Sequence, residues 1–466
     1  MKKALVILLL FLLPVIIPFI QPGFFSSDDG EWMVIRLSAF HETLKTGQFP
    51  VRFLERLNHG LGYPVTNFLY PLPFYIGEAI HLLGPGFIDT TKILLAGGMI
   101  AGAVGTFLLV RSRWGNLSAF FAGVMYTFHP YHVFDLFSRG SLGEITALGI
   151  FPYILLFINR PLISGGFWAA LICSHNTLAL IFSPIVIIYG LFSQTSVKKL
   201  IFSTAIAVGL SAFFWIPALF ELPFTKAIHL SISDFQTYFL NLNLVGFASP
   251  ILLLAFFVNR SRWTFLAIGL SLCSLFLASP LSTVFWQTLP LPKIVQFPWR
   301  FLAILVFSES LLIAILAKHQ KNLAGVLVVA TMLMSLWSFQ YHPLPRDDAY
   351  YYTNDDSTTV KNEYSSTWLK ETNPALPGHT RIPKMYFPGV KLLVDTKETE
   401  FNFTNSGLIE AVLSPGPHSI RTEYTQTPVQ MVANTISLMS FVGVLIVFVS
   451  QNLRGNFVHK KLPTRK

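Results

Sequence analysis

The chain has 466 residues, of which 53% are hydrophobic and only 12% are charged. Soluble domains average about 25% charged residues, so this composition excludes a soluble enzyme, a disordered chain and a disulfide scaffold. It predicts a polytopic α-helical membrane protein, whose spans need about 20 apolar residues each. The net charge of +10 is typical of positively charged cytoplasmic loops, and nucleic-acid binding is not expected because basic and aromatic residues do not cluster on a soluble face.

The apolar runs predict about 11–13 membrane segments and a small external β-domain before the last span. The first run, 5–20, follows Lys2 and Lys3 without a small-residue cleavage site, so we interpret it as an uncleaved transmembrane helix. The predicted parts are a first transmembrane helix (1–20), an external loop with an amphipathic helix and an acidic motif (21–66), a multi-span membrane domain (67–339), an external β-rich domain (340–428), and a last transmembrane helix with a basic cytoplasmic tail (429–466).

An acidic motif at 26–31, Ser-Ser-Asp-Asp-Gly-Glu, follows the first span. Ser26 with Asp29 is a helix-start signature, and the apolar spacing after it predicts an amphipathic helix over 28–46 on the outer membrane face. Asp29 and Arg36 lie on one face of this helix, where a carboxylate suits a base or a metal ligand. Alternatively, Asp28 and Asp29 simply cap a surface helix.

Basic residues without neighbouring acids predict the cytoplasmic loops. They stand at segment ends: Lys2, Lys3, Arg111, Arg113, Arg160, Lys198, Lys199, Arg260, Arg262, Lys318, Lys321, and the tail from Arg454 to Lys466. The chain must then cross an even number of times between Lys3 and Arg111. We therefore expect the proline-interrupted segment 67–84 not to cross fully. In the alternative it crosses, and 165–193 is one long span.

A second group of polar residues lies between apolar segments at 128–144. Asp135 and Arg139 have helical spacing and could form a salt bridge, or Arg139 could bind a phosphate. Glu144 follows closely and is a further candidate.

Five more residues bring polar groups to the membrane domain or its outer edge. His175 and Asn176 line a cavity or make an interhelical hydrogen bond. Glu309 lies inside a span, and Arg300 is either an interface anchor or part of a phosphate clamp. Glu363, in the external domain, reaches the site or is plain surface.

The external region 340–428 differs in composition, with 11 of the chain's 23 acids and 8 of its 33 bases. Its second half has short alternating runs separated by turns, including 384–387, 390–394 and 407–413. This pattern predicts a small β-domain tethered by spans on both sides.

Taken in order, these motifs resemble the GT-C class of membrane glycosyltransferases. More narrowly, they are similar to the bacterial membrane proteins labelled "6-pyruvoyl-tetrahydropterin synthase-related". The resemblance covers nearly the whole chain and rests on Asp28-Asp29-Gly30, Arg36, and the segments 47–52, 58–64, 67–75, 130–131, 139–140, 174–176, 296–300, 363–364 and 386–389.

The resemblance implies a GT-C-like fold and a polyprenyl-phosphate sugar donor bound in the outer leaflet. The enzyme would reside in the plasma (inner) membrane, with its catalytic face external and a glycan, lipid or protein as acceptor. Asp29, then Asp28, matches the acidic residue that acts as base or as ligand of a divalent Mg or Mn ion. The narrower group has histidines where this chain has Asp28 and Met33.

The substrate-binding candidates follow from the same comparison and from the residue chemistry. They are Arg36, Arg139, His175, Asn176 and Arg300, with Asp135, Glu144, Glu309 and Glu363 as further candidates. Two rival functions stay open. One is a transporter or flippase of lipid-linked glycans, which favours ionisable groups near the membrane midplane. The other is a catalytically inactive scaffold.

Overall fold

A computed structural model describes residues 1–370 and 373–459, with side chains up to Gln451, so the side chains of the predicted basic tail lie outside the described residues. The chain is mostly helical with a small β-region near its C-terminus, which confirms the predicted fold class. Its α-helices are α1 (Lys2–Phe11), α2 (Leu13–Ile16), α3 (Gly30–Lys45), α4 (Val65–Phe68), α5 (Leu72–His81), α6 (Phe87–Phe128), α7 (Pro130–Phe134), α8 (Leu142–Leu156), α9 (Pro161–Ser174), α10 (Asn176–Phe192), α11 (Val197–Leu210), α12 (Ala212–Phe220), α13 (Leu242–Val245), α14 (Ala248–Val258), α15 (Arg262–Leu277), α16 (Thr283–Thr288), α17 (Leu291–Ile294), α18 (Leu302–His319), α19 (Lys321–Ser338), α20 (Asp348–Thr353) and α21 (Pro428–His459).

The helices are long and apolar enough for a multi-pass membrane protein. Within the described residues, four helical stretches can each cross a bilayer: Phe87–Phe128, Pro298–His319, Lys321–Ser338 and Pro428–Gln451. Three bent pairs, the sharpest of them bent by 75°, raise the number of possible spans to seven. Shorter apolar helices such as α8, α9 and α10 pack among them.

The segment α6 consists of two helical arms that form a hairpin. Gly115 has φ 85° and ψ 179°, a conformation that favours glycine and interrupts the helix. The two arms pack closely against each other at glycine residues. A methyl on Gly102 would lie 2.8 Å from the Tyr126 ring, and one on Gly123 would lie 3.1 Å from the Ala103 carbonyl oxygen. The break lies between the apolar runs 92–110 and 117–128 of the sequence.

Three of the segments predicted to be cytoplasmic lie next to one another. Arg113 donates to Ser193 Oγ at 3.3 Å, and its guanidinium lies 3.8 Å from the Trp263 ring centroid. The helix α5 has ten residues and so a length of about 15 Å, half of a bilayer core of about 30 Å. It is too short to cross by itself, and partial crossing of 67–84 stays a prediction.

The helix α3 falls within the predicted range 28–46 and much of it is buried, while its position on the outer membrane face stays a prediction. Met33, Leu37, Phe40 and even Arg36 are buried, because the segment around α20 covers its outer side. Its start differs from the prediction, since Ser27 Oγ, rather than Ser26 or Asp29, accepts a hydrogen bond from the first helical N–H at 3.2 Å.

The strands form small antiparallel sheets. They are β1 (Phe24–Phe25), β2 (Pro343–Leu344), β3 (Thr380–Met385), β4 (Val390–Val394), β5 (Lys397–Thr399), β6 (Leu408–Ala411) and β7 (Ile420–Tyr424). β1 pairs with β2, β3 with β6, and β4 lies between β5 and β7. Met385, Phe387 and Ile409 share a core with Phe53 and Phe68, which fixes the β-domain on the segment between α3 and α5.

Candidate active site

The centre of the polar cluster is the carboxylate of Glu144, in the first turn of α8. It is fully buried and uses both oxygens. Oε1 accepts from Arg139 at 2.5 Å and from Arg300 at 3.0 Å, and Oε2 accepts from the Tyr131 hydroxyl at 2.8 Å. Nε2 of His175 lies 3.6 Å from Oε1. One carboxylate thus ties together side chains from four parts of the chain.

Arg139 links this centre to the acidic motif. Residues 135–139 form a single π-helical turn that ends at Gly140, which has φ 61°. The backbone N–H of Asp29 donates to the Arg139 carbonyl oxygen at 2.8 Å, and Arg139 Nη2 lies 3.2 Å from Asp29 Oδ2. The predicted Asp135–Arg139 pair also forms, at 3.2 Å. Arg139 is therefore shared among three carboxylates and has little capacity left for a phosphate.

Arg300 reaches the same cluster from the turn before α18. Its Nη1 donates to the Val295 carbonyl oxygen at 2.8 Å and to Gln296 Oε1 at 2.9 Å. Its guanidinium lies 5.0 Å from the Phe297 ring centroid. Glu144 takes its Nε, so within the described residues no hydrogen bond is made by Nη2. That nitrogen is available to a ligand.

His175 immediately precedes α10, at the break between the apolar helices α9 and α10. Its Nδ1 accepts from the Leu178 N–H at 3.2 Å and caps the helix. Its ring stacks on Tyr70, with centroids 5.4 Å apart. The side chain of Asn176 does not join this contact. It donates to the Phe68 carbonyl oxygen at 2.8 Å, which is an interhelical hydrogen bond.

Arg36 is a buried cation without a carboxylate partner. Its side chain is 3% exposed, with Nε donating to Thr358 Oγ1 at 3.0 Å and Nη2 donating to the Thr358 carbonyl oxygen. Among the described residues no acid lies within 4.0 Å of it. Buried charges are normally paired, so this guanidinium is suited to an anionic ligand.

The Glu363 carboxyl interacts electrostatically with Arg36, Arg300 and Asp29. Burial raises the pKa of Glu363 to about 7; the two arginines oppose the rise and Asp29 adds to it. Asp28 lies at the surface next to Asp29. Partial desolvation of its carboxylate and the negative charge of Asp29 raise the pKa of Asp28.

Glu309 lies outside this cluster. It is fully buried in α18, and its Oε2 is 3.5 Å from His129 Nε2. The structure brings Arg139, His175 and Arg300 to the Glu144 carboxylate, and Asp29 joins this cluster through Arg139. The sequence pattern named Glu144 only as a further candidate.

Two residues of the cluster were missed. The hydroxyl of Tyr131 donates to Glu144, and Thr358 holds Arg36. Tyr131 stands in the polar run at 128–144, so its position was a usable signal. Thr358 has no local signal, because it is 322 residues from Arg36 in sequence.

A possible cation-binding group lies away from the cluster. Ligand atoms of His59, Asp355 and Asp356 lie within 4.8 Å of one another. Among the described residues, no such group contains Asp28 or Asp29. Cavities of about 340 and 290 Å³ lie along the β-domain, and neither is lined by a residue of the cluster.

Comparisons with known proteins give distant relatives. No family model matches. An uncharacterized protein of Lactococcus lactis subsp. cremoris (strain MG1363) is 25% identical over 247 residues, 48% of this chain and 40% of the relative, so the match spans less than half of that protein's length.

Two solved structures align over most of the chain. ArnT from Cupriavidus metallidurans bound to undecaprenyl phosphate has 12% identity and a TM-score of 0.36, covering 74% of this chain and 87% of its own. The apo Archaeoglobus fulgidus oligosaccharyltransferase has 15% identity and a TM-score of 0.41, covering 79% of this chain and 62% of its own. Since both TM-scores are below 0.5, a functional assignment depends on the side chains described above.

Proposed function

We propose that this protein is a membrane glycosyltransferase that moves a sugar from a polyprenyl-phosphate donor to an acceptor on the external face of the plasma membrane. The observation that carries the proposal is a partly exposed carboxylate, Asp29, about two helical turns before a buried arginine, Arg36, that has no acidic partner among the described residues. Sugar transfer from a lipid phosphate needs these two kinds of group, a base and an anion site.

Arg36 and Arg300 bind the donor phosphate in this proposal. A buried charge without a partner is costly, and a phosphate on Arg36 would relieve that cost. The planar guanidinium matches phosphate oxygens with paired hydrogen bonds. Arg300 adds its unbonded Nη2. The apolar helices around the cluster accommodate the polyprenyl tail.

Asp29 is the general base. Its side chain is 28% exposed, more than those of the buried acids around Arg139. Arg139 holds its Oδ2 and leaves Oδ1 for the acceptor hydroxyl. As the acceptor oxygen bonds to the sugar anomeric carbon, Asp29 takes the hydroxyl proton and the electron pair of the broken bond goes to the phosphate. Arg36 and Arg300 stabilise the charge that develops there.

Arg139, Glu144, His175 and Asp135 act as positioning residues. Glu144 sets the direction of both Arg139 and Arg300, and Arg139 sets that of Asp29. Divalent-metal binding by Asp28 and Asp29 stays a prediction. Because Asp29 is engaged by Arg139, and no third ligand from the described residues joins this pair, no step is assigned to a metal.

The test is sugar transfer by the purified protein in nanodiscs, offered a panel of polyprenyl-phosphate sugars, with products identified by mass spectrometry. Asp29→Asn keeps the side-chain size and should slow transfer by roughly 10²–10⁴-fold, the usual effect of losing a general base. Asp28→Asn is the matched control and should do much less. Donor binding should survive Asp29→Asn and weaken by at least about 30-fold in Arg36→Met, which loses a buried charge contact.

Two results would contradict the proposal. Full activity of Asp29→Asn would move the base elsewhere in the cluster. A parent protein that neither binds nor consumes any donor would favour the rivals: lipid-linked glycan movement in a vesicle assay would support a flippase, and its absence an inactive scaffold.

A further inference from the structure

Glu363 belongs to a segment that is hydrogen-bonded to residues of the candidate active site and of the loop beside it. Just before it, Thr358 accepts two hydrogen bonds from Arg36. Just after it, the backbone N–H of Tyr364 donates to the Tyr63 hydroxyl at 3.1 Å. The position of Glu363 is therefore fixed on both sides by residues that belong to α3 and to the segment between α3 and α5.

The groups facing Glu363 come from several elements. The charged ones are Arg36 in α3, Arg300 before α18, and Asp29 at the start of α3, and the tyrosines Tyr63 and Tyr364 are also near. Within the described residues Glu363 makes no ion pair shorter than 4.0 Å. A carboxyl beside two anion-binding cations would oppose a phosphate if it were ionised and donate to it if it were protonated.

The phosphate becomes more basic as it departs and can then share a proton with a neighbouring acid. A sugar linked to a polyprenyl phosphate is a phosphodiester with one negative charge, and it leaves as a phosphate monoester whose second pKa is about 6. Burial raises the pKa of Glu363 to about 7, so near neutral pH it still carries a proton much of the time. Proton transfer is most effective when the pKa of the donor lies near the working pH.

We propose that Glu363 is the proton donor of the phosphate site, facing the phosphate held by Arg36 and Arg300. The inference rests on the proposed function and adds a residue to it. The bond from the acceptor oxygen to the anomeric carbon forms while the bond from that carbon to the phosphate oxygen breaks. The phosphate oxygen keeps the electron pair and takes the Glu363 proton, while Asp29 takes the proton of the acceptor hydroxyl. Both acids then exchange their protons with water.

The first test measures binding alone. Undecaprenyl phosphate is titrated into the full-length protein in nanodiscs between pH 6 and pH 8.5. Above pH 7 the ionised Glu363 should repel the phosphate, so the parent protein should lose about tenfold more affinity over this range than Glu363→Gln, which corresponds to one unit of pKa coupling. The ionisation of the lipid itself affects both proteins equally. Glu400→Gln, an exposed acid of the same external domain, should follow the parent.

The second test follows sugar transfer against pH. The parent rate should fall as pH rises through about 7, whereas Glu363→Gln should be slower by roughly 10²-fold at pH 6.5 and lack this limb. Glu363→Asp should restore part of the rate. If Glu363→Gln keeps the parent rate, pH profile and binding while Asp29→Asn is inactive, the inference alone fails. If the parent neither binds undecaprenyl phosphate nor transfers sugar, the proposed function fails and the inference with it.

Discussion

Replacing Glu144 by Gln tests whether one buried carboxylate holds the site together. The change keeps the size of the side chain and most of its hydrogen bonds, since the amide oxygen can face the arginines and the Tyr131 hydroxyl can turn to accept. The negative charge is lost. Arg139 retains two other carboxylates, but Arg300 loses the one acid within 4.0 Å of it among the described residues.

The size of the effect follows from burial. Removing one partner of a buried ion pair costs about 3–5 kcal/mol, because the remaining charge is left uncompensated. For a chain of this length that corresponds to a fall of about 3–5 °C in the unfolding temperature. Glu398→Gln is the matched control. It breaks an exposed pair with Lys391, 2.8 Å long, whose side chains are 63% and 42% exposed, and such pairs contribute about 0–1 kcal/mol.

Thermal unfolding of both variants in the same detergent measures the difference, and donor binding measures its consequence for Arg300. We expect Glu144→Gln to unfold at lower temperature than Glu398→Gln and to bind undecaprenyl phosphate more weakly. Equal unfolding temperatures would refute the reasoning, because they would mean that the Glu144 charge does not compensate the buried arginines.

Three further predictions concern the backbone, the pH dependence and the topology. Gly140→Ala should destabilise the fold and reduce sugar transfer, because the position has φ 61° and a methyl there would lie 2.5 Å from Ser27 Oγ; thermal unfolding and activity check it. The free energy of unfolding of Glu363→Gln should exceed that of the parent by up to about 3 kcal/mol at pH 8 but not at pH 4. The reason is that the pKa of Glu363 is raised, so its ionisation costs stability as pH rises from 4.5 to about 7. Unfolding measured at both pH values tests this. Cysteines introduced at Arg113 and at Glu398 should be labelled from opposite sides of the membrane, the first from the cytoplasm, and same-side labelling would overturn the topology.

Local patterns were enough for the class of protein and for several of its elements. Apolar runs mark helices because hydrophobicity sums along a contiguous segment, and this works at α18 and α19 without any knowledge of their neighbours. Alternation and turn residues located strands such as β4. The Asp135–Arg139 contact was also available, since residues four apart meet on one side of a helical turn.

The partners of the site residues depend on packing that no local pattern encodes. Arg36 contacts Thr358 across 322 residues of chain, and the segment around α20 covers α3, including the buried Arg36. Glu144 becomes the centre only because α8, the turn before α18 and the start of α10 bring Arg139, Arg300 and His175 to the same carboxylate. The sequence by itself determined the helical membrane class and supplied the charged residues. Which charges are paired and which are left for a ligand was decided by the tertiary structure, because ion pairing depends on distance in space and on burial.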